Sequence, residues 1–258
     1  MTTTSFDDGR LELRIQGRLA TVTLARPDRL NSQTPATWTG LADIGACLGR
    51  EVSVVVVRGA GRSFSAGLDR SLFTAEPGVE GGLGAVANGS DEEIAKRIEH
   101  FQAGFCWLTE GPAISIAAVQ GHAIGAGFQL ALACDLRVLA EDAMLTMAET
   151  SLGLVPDLTG TAPLVRALGY SRALEICATG RRVGAVEAMA LGLANTVVAT
   201  DELDGAVQDL VAALLAAPVD SLAATKQLLL GAADRTRVEQ CAAERQAQIP
   251  LLRQLFRR

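Results

Sequence analysis

The sequence predicts an α/β or α+β chain that closes in helices alone, and three observations carry that expectation. Short β-branched runs alternate with stretches of helical spacing over the first two hundred residues. Two glycine-bearing turns each follow one of those runs. From Asp201 onward only helical spacing is left. Residues 1–200 are therefore expected to form a core domain and residues 201–258 a C-terminal helical region. With 258 residues, 49% of them hydrophobic, the chain can fill a sizeable core. Only 4% are aromatic, so Ala, Val, Leu and Ile must do most of the packing.

Leu11 to Ile15 and Leu19 to Leu24 alternate apolar and polar residues around Gln16-Gly17-Arg18, a hairpin pattern. Arg26-Pro27 ends it, because proline cannot donate to a ladder. Thr34 to Leu48 reads as a helix entered through Pro35, with Trp38, Leu41 and Ile44 on one face. Val52 to Val57 is the next strand. Leu68 to Ser90 is glycine-rich and expected to be irregular. Ser90 followed by Asp91, Glu92 and Glu93 opens a helix to Thr109. Ile114 to Val119 is a strand, Gly121 to Gly127 a turn, and Phe128 to Cys134 a helix. Short helices are expected at Pro163 to Leu168, Ser171 to Thr179 and Gly184 to Leu191, then a strand at Thr196 to Val198. Three helices follow: Asp201 to Ala216, Pro218 to Leu230, and Thr236 to Arg258 with a break near Pro250.

A net charge of −6 argues against a nucleic-acid partner. No apolar run approaches the ~18 residues of a membrane span. The N-terminus lacks the basic-then-apolar pattern of a signal peptide. Five scattered cysteines, an odd number without CxxC, fit a reducing compartment. A cytoplasmic protein is expected. His100 and His122 are the only histidines, with no metal-ligand spacing, so no metal site is expected. GxSxG is missing, which argues against a serine hydrolase of the elbow type.

The chemistry concentrates in two places. Ile114 to Gly160 holds strand, glycine turn and helix, a layout that leaves helix N-terminal N–H groups unpaired. Ser63-Phe64-Ser65-Ala66-Gly67-Leu68-Asp69 follows the strand at Val52 to Val57. FSAGLD, AAVQGHAIGAGFQLALACDLRV and AETSLGLVPDLTGT occur in that order, and with them the chain resembles the enoyl-CoA hydratase/isomerase (crotonase) family. The resemblance covers roughly the first two hundred residues. It implies a spiral of ββα units with a C-terminal helical region for oligomerisation and active-site cover, a homotrimer or homohexamer, and an acyl-CoA substrate. Coenzyme A is then part of the substrate, and no other cofactor is implied.

The family stabilises an enolate made from an acyl-CoA thioester. By motif position the two oxyanion-hole N–H groups belong to Leu68 and Ala126, with Ala66 and Gly125 beside them in the substrate pocket. Losing one such donor costs roughly 2.7–4 kcal/mol of transition-state stabilisation. Hydratases of the family use two glutamates. The first matches Gln129 here, which cannot act as a base, and the second matches Glu149. Asp157 stands where some family isomerases carry a carboxylate, and it also reads as a helix N-cap before Leu158 to Thr161. Arg26, Arg29 and Lys226 match positions that contact CoA, and Asp69 is expected to brace its loop. His122 reads as a packing or pocket-wall residue. These residues imply an enoyl-CoA isomerase. The alternatives are an enoyl-CoA hydratase using Glu149 and Asp157, or a non-catalytic acyl-CoA-binding protein.

Overall fold

The computed structural model of the chain describes residues 2–74 and 82–256. Three strands open it, β1 (Thr2–Phe6), β2 (Leu11–Gln16) and β3 (Leu19–Leu24), paired antiparallel in sequence order. The hairpin of β2 and β3 is the expected one; β1 adds a polar strand that alternation alone did not mark. Helix α1 (Pro35–Cys47) starts from a Thr34–Thr37 capping box with proline at its first position. Strand β4 (Val54–Gly59) follows. Residues 75–81 of the glycine-rich stretch lie outside the described residues, and beyond them comes the single turn α2 (Leu83–Val86). Helix α3 (Asp91–Glu110) opens on a Ser90–Glu93 capping box, as its first four residues required.

Next come β5 (Ile114–Val119), β6 (His122–Ile124), α4 (Ala126–Ala133), β7 (Leu136–Ala140) and β8 (Met144–Thr146). The glycine turn therefore contains a short strand, and its helix begins two residues earlier than expected. Then follow α5 (Thr161–Leu168), α6 (Tyr170–Thr179), β9 (Arg182–Gly184), α7 (Ala185–Leu191) and β10 (Thr196–Val198). The tail is α8 (Leu203–Leu215), α9 (Val219–Leu230) and α10 (Arg237–Leu255). Helix α10 passes through Pro250 without the expected break. No single helix among the described residues is long and apolar enough to cross a membrane.

Seven strands form one sheet in the order β1-β2-β3-β4-β5-β7-β10, parallel from β3 onward; β6, β8 and β9 form a second. The chain repeats a two-strand-and-helix step: β2-β3-α1, β5-β6-α4 and β7-β8-α5. In the last two steps one strand joins each sheet. Central strands are buried on both sides, which is why Val54 to Val57 is a continuous apolar run. One face packs Val22, Val55, Val57 and Val119 against Trp38 and Leu41 of α1 and Phe105 of α3. Trp38 lies 5.1 Å from Phe101 and 6.4 Å from Phe105, ring centre to ring centre. The other face packs Val54, Val56, Ile116 and Val138 against Leu203, Val207 and Val211 of α8. The first tail helix is thus the second cover of the sheet.

Lys226 ties α9 to this core. Its ammonium donates to Leu108 O at 2.9 Å and Ala113 O at 2.7 Å, and pairs with Asp135 at 2.8 Å. All three donors are used, and only 5% of the side chain is exposed. Removing one member of such a buried pair strands the other. Lys226→Ala is therefore expected to lower unfolding free energy by about 3 kcal/mol in a urea titration; an unchanged midpoint would show that the pair contributes nothing.

Candidate active site

Two loops meet beside the sheet. Residues 63–69 leave β4 and run next to β6: Ser65 N–H donates to His122 O at 2.8 Å, and Ile124 N–H to Ser65 O at 3.0 Å. On the other side, Gln33 N–H donates to Gly67 O at 2.7 Å and Asp69 N–H to Gln33 O at 2.8 Å. This alternation skips Leu68, whose N–H has no hydrogen-bond partner among the described residues. Ala126 is the first residue of α4, so its N–H also lies outside the helix ladder.

Gly67 is where the loops touch. Its φ is +80°, and a Cβ there would fall 2.3 Å from Ile124 O. The same hypothetical atom would be 3.5 Å from Ala126 N, so the Leu68 and Ala126 amides are carried by backbone in direct contact. Gly125, before the helix, has φ +52° and ψ −118°, a region closed to side chains. A Cβ at Gly125 would sit 3.2 Å from Glu149 Oε1, so the carboxylate packs onto this backbone.

Glu149 opens a 3₁₀ turn after β8 and is 8% exposed, which excludes a solvated surface charge. Its Oε1 accepts a 2.7 Å hydrogen bond from Gln129 Nε2, while the buried Oε2 has no hydrogen-bond partner among the described residues. Burial raises the Glu149 pKa, and the charge of Asp157 adds to the rise; the Gln129 bond works against it. Asp157 is half-buried, and burial raises its pKa too. It does not cap a helix. Helix α5 starts at Thr161 with Gly160 as its cap residue and no side-chain cap bond, which overturns the N-cap reading.

Gln129 is fully buried in α4. Its Oε1 accepts from Leu158 N–H at 2.8 Å and Gly160 N–H at 3.2 Å, so only the Nε2 end can face Glu149. Thr159 between them has φ +70°, which turns the amides on either side of it toward one acceptor. Gln102 of α3 holds the same segment from outside, donating to Asp157 O at 2.7 Å. The sequence marked Gln129 as a departure but gave no sign of these partners, about thirty residues away. Gln102 and Gln33 carried no sequence signal at all.

The basic residues divide. Arg26 pairs with Asp69 at 2.6 Å and reaches Ser32 Oγ at 3.3 Å, bracing the loop that carries Leu68. Burial raises the Asp69 pKa, but bonds from Ser71 and Arg26 outweigh it and hold the carboxyl at about 2. Arg29 is exposed, and its guanidinium has no hydrogen-bond or ion-pair partner among the described residues. Lys226 cannot serve as the expected CoA contact, because its three donors are consumed inside the fold. His122 is exposed, contrary to the packing reading. Ala66 is half-buried, with its N–H on Leu30 O at 2.8 Å. No cluster of three or more His, Cys, Asp or Glu suited to a metal occurs among the described residues.

Two backbone amides without partners among the described residues lie beside a buried carboxylate of raised pKa, a candidate oxyanion and acid–base site on a ββα spiral. The chain belongs to the enoyl-CoA hydratase/isomerase family, whose model matches residues 14–255. A probable enoyl-CoA hydratase of Bacillus subtilis is 36% identical over 169 residues, 64% of this chain and 60% of its own length. The peroxisomal Delta(3,5)-Delta(2,4)-dienoyl-CoA isomerase of Arabidopsis thaliana is 32% identical over 181 residues, 70% of this chain and 65% of that one. The matches thus span less than two thirds of either relative. A crystal structure of a "putative enoyl-CoA hydratase" from Thermobifida fusca YX in complex with acetoacetyl-CoA superposes with a TM-score of 0.89 at 47% identity, covering 95% of each chain. The fold is that of the crotonases.

Two pH dependences follow, with opposite signs. Asp69 has a folded pKa below its unfolded one, so the unfolded chain binds more protons between about 4 and about 2. Its stabilisation is full above that window and lost as pH falls through it. Asp69→Asn should therefore be less stable than the parent at pH 7 and nearly as stable at pH 2, which denaturation at both pH values checks. Glu149 has a raised folded pKa, so it costs stability as pH rises from its unfolded value through its folded one. Glu149→Gln should consequently melt at a higher temperature than the parent at pH 8, the gain shrinking toward pH 4. A lower melting temperature at pH 8 would contradict the desolvation assigned to that carboxyl.

Proposed function

We propose that the chain is an enoyl-CoA isomerase, moving a double bond from the β,γ to the α,β position of an acyl-CoA. The observation that carries this reading is the commitment of Gln129. Its carbonyl end is sealed by Leu158 and Gly160 N–H, and its amide end donates to Glu149 Oε1. Hydration by a two-glutamate mechanism needs a second carboxylate there to deprotonate water. Isomerisation needs one base, and Glu149 Oε2 is an uncommitted carboxylate oxygen.

In this mechanism the thioester oxygen lies against the N–H groups of Leu68 and Ala126. Glu149 Oε2 takes the α-proton, and the electron pair spreads into the thioester oxygen and the β,γ double bond as a dienolate. The same carboxyl returns the proton to the γ-carbon, leaving the double bond conjugated with the carbonyl. The raised pKa of Glu149 suits both steps, since it must accept a proton and then give it back. Arg29 is the exposed cation proposed for a CoA phosphate, and Arg26 keeps its place beside Asp69 while lining the same edge. The acyl-CoA class is supported by the acetoacetyl-CoA complex of the Thermobifida fusca relative. The reading includes a cytoplasmic homotrimer or homohexamer, for which exposed Leu229, Val238 and Leu255 on α9 and α10 supply apolar surface.

A second reading keeps a specific observation. Asp157 lies near enough to Glu149 to raise its pKa, and relatives named hydratase are among the matches. The Glu149/Asp157 pair would then be a hydratase. One purified protein given a 3-enoyl-CoA decides between them when conjugated thioester absorbance and 3-hydroxyacyl-CoA are followed together. The isomerase predicts a double-bond shift well ahead of hydration, and a loss of ~10² or more with Glu149→Gln. Rapid hydration of a 2-enoyl-CoA without any shift would install the hydratase. No turnover of either substrate would leave an acyl-CoA-binding protein.

A further inference from the structure

We infer that Ser65 is a positioning residue that sets both amides of the oxyanion site at once. The inference rests on the oxyanion reading above but not on the choice between isomerase and hydratase. Ser65 is fully buried, and its hydroxyl is saturated. It donates to Asn31 O at 2.8 Å and accepts from Gln33 Nε2 at 3.0 Å and from Gly67 N–H at 3.2 Å. The last bond fixes the Ala66–Gly67 peptide, one before the peptide that carries the Leu68 N–H. Gln33 is itself immobilised, because its Oε1 accepts from Trp38 Nε1 at 2.8 Å. Asn31 is pinned by its side chain, whose Nδ2 donates to Ala60 O and Ser63 O, both at 2.8 Å. The hydroxyl therefore rests on groups that cannot yield.

The same residue supports the other amide. Ser65 O accepts from Ile124 N–H, two residues before Ala126. Gly127 sits directly on Ser65: a Cβ at Gly127 would lie 2.6 Å from Ser65 O and 2.8 Å from Ser65 Cβ. Residues 124 and 127 bracket Ala126, so Ser65 fixes the helix start on one side and the Leu68 loop on the other. Removing the hydroxyl frees Gly67 N–H and Gln33 Nε2 together, so the Gly67 turn that aims the Leu68 N–H loses its side-chain support while the backbone bonds to β6 and to Gln33 stay. Ser65 touches no substrate in this account; it acts through the two amides.

Acetoacetyl-CoA tests this directly, because its enolate absorbs in the near ultraviolet and its neutral form does not. The parent protein should raise the bound enolate fraction at a fixed pH. Ser65→Ala and Ser65→Cys should both lower it, with Cys retaining more because sulfur can still accept weakly. Affinity for an S-alkyl-CoA thioether, which has no carbonyl oxygen, should not change in either variant. Turnover should fall ~10- to 10²-fold with little change in KM, as for a small misplacement of a catalytic donor. Circular dichroism and a thermal melt on both variants establish that they fold, and Cys serves if Ala does not. An undiminished enolate band and undiminished turnover in a folded variant would overturn the inference. A parent protein that binds acetoacetyl-CoA with no enolate band would instead remove the oxyanion reading itself, and this inference with it.

Discussion

The contact between residues 65–68 and residues 122–127 is the constraint from which the site follows. Neither loop could hold its amides alone, since an unpaired N–H in a flexible turn would turn to water or to a neighbouring carbonyl. Here the Leu68 amide is flanked by bonded ones, and the Ala126 amide follows the bonded Gly125 N–H. Gln33 binds on both sides of Leu68 and skips it, and the start of α4 leaves Ala126 outside the ladder. Because Gly67 lies against Ile124 O with no room for a side chain, neither loop can move independently. The proposed oxyanion role draws on this mutual support, since preorganised backbone amides are the ones effective toward developing charge.

The carboxylate is set by a second constraint, on the opposite side of Gly125. A buried Glu149 would be costly if wholly unpartnered, and Gln129 relieves part of that cost through one oxygen only. The amide can do this because the positive φ at Thr159 brings Leu158 and Gly160 N–H onto its other end. A glutamate at 129 would place a second carboxyl against Glu149, and the two would have to share a proton. The segment that carries Asp157 is thus tied to the identity of residue 129. Residue 129 supplies an amide, not an acid, and that amide fixes the orientation of Glu149.

Elements with long periodic patterns could be read from the sequence, and those set by distant partners could not. The hairpin, α1 and α3 follow from alternation, helical spacing and capping boxes, all local. Strands β6, β8 and β9 have three residues each, too few for a period to show, and β7 sits close behind a helix of similar composition. Pro250 was expected to break a helix but is carried within α10, whose surroundings are largely solvent. In the site, motif positions located Leu68, Ala126 and Glu149. They misled at Lys226, because no local pattern shows that a lysine turns inward to two carbonyls and an aspartate. They were silent on Ser65 and Gln33, whose importance exists only once residues 31, 67 and 127 are folded around them.

The account's central claim is that one carboxyl, Glu149, carries a proton from the α- to the γ-carbon of a bound acyl-CoA. Its free oxygen is buried, so a proton held there exchanges slowly with water compared with a group at the surface. The most direct measurement is a single-turnover reaction of a 3-enoyl-CoA deuterated at C2, with mass and NMR analysis of the product. The account predicts conjugated 2-enoyl-CoA with a measurable part of the C2 deuterium at C4. Complete loss of that deuterium to solvent, together with 3-hydroxyacyl-CoA as the first product, would contradict it.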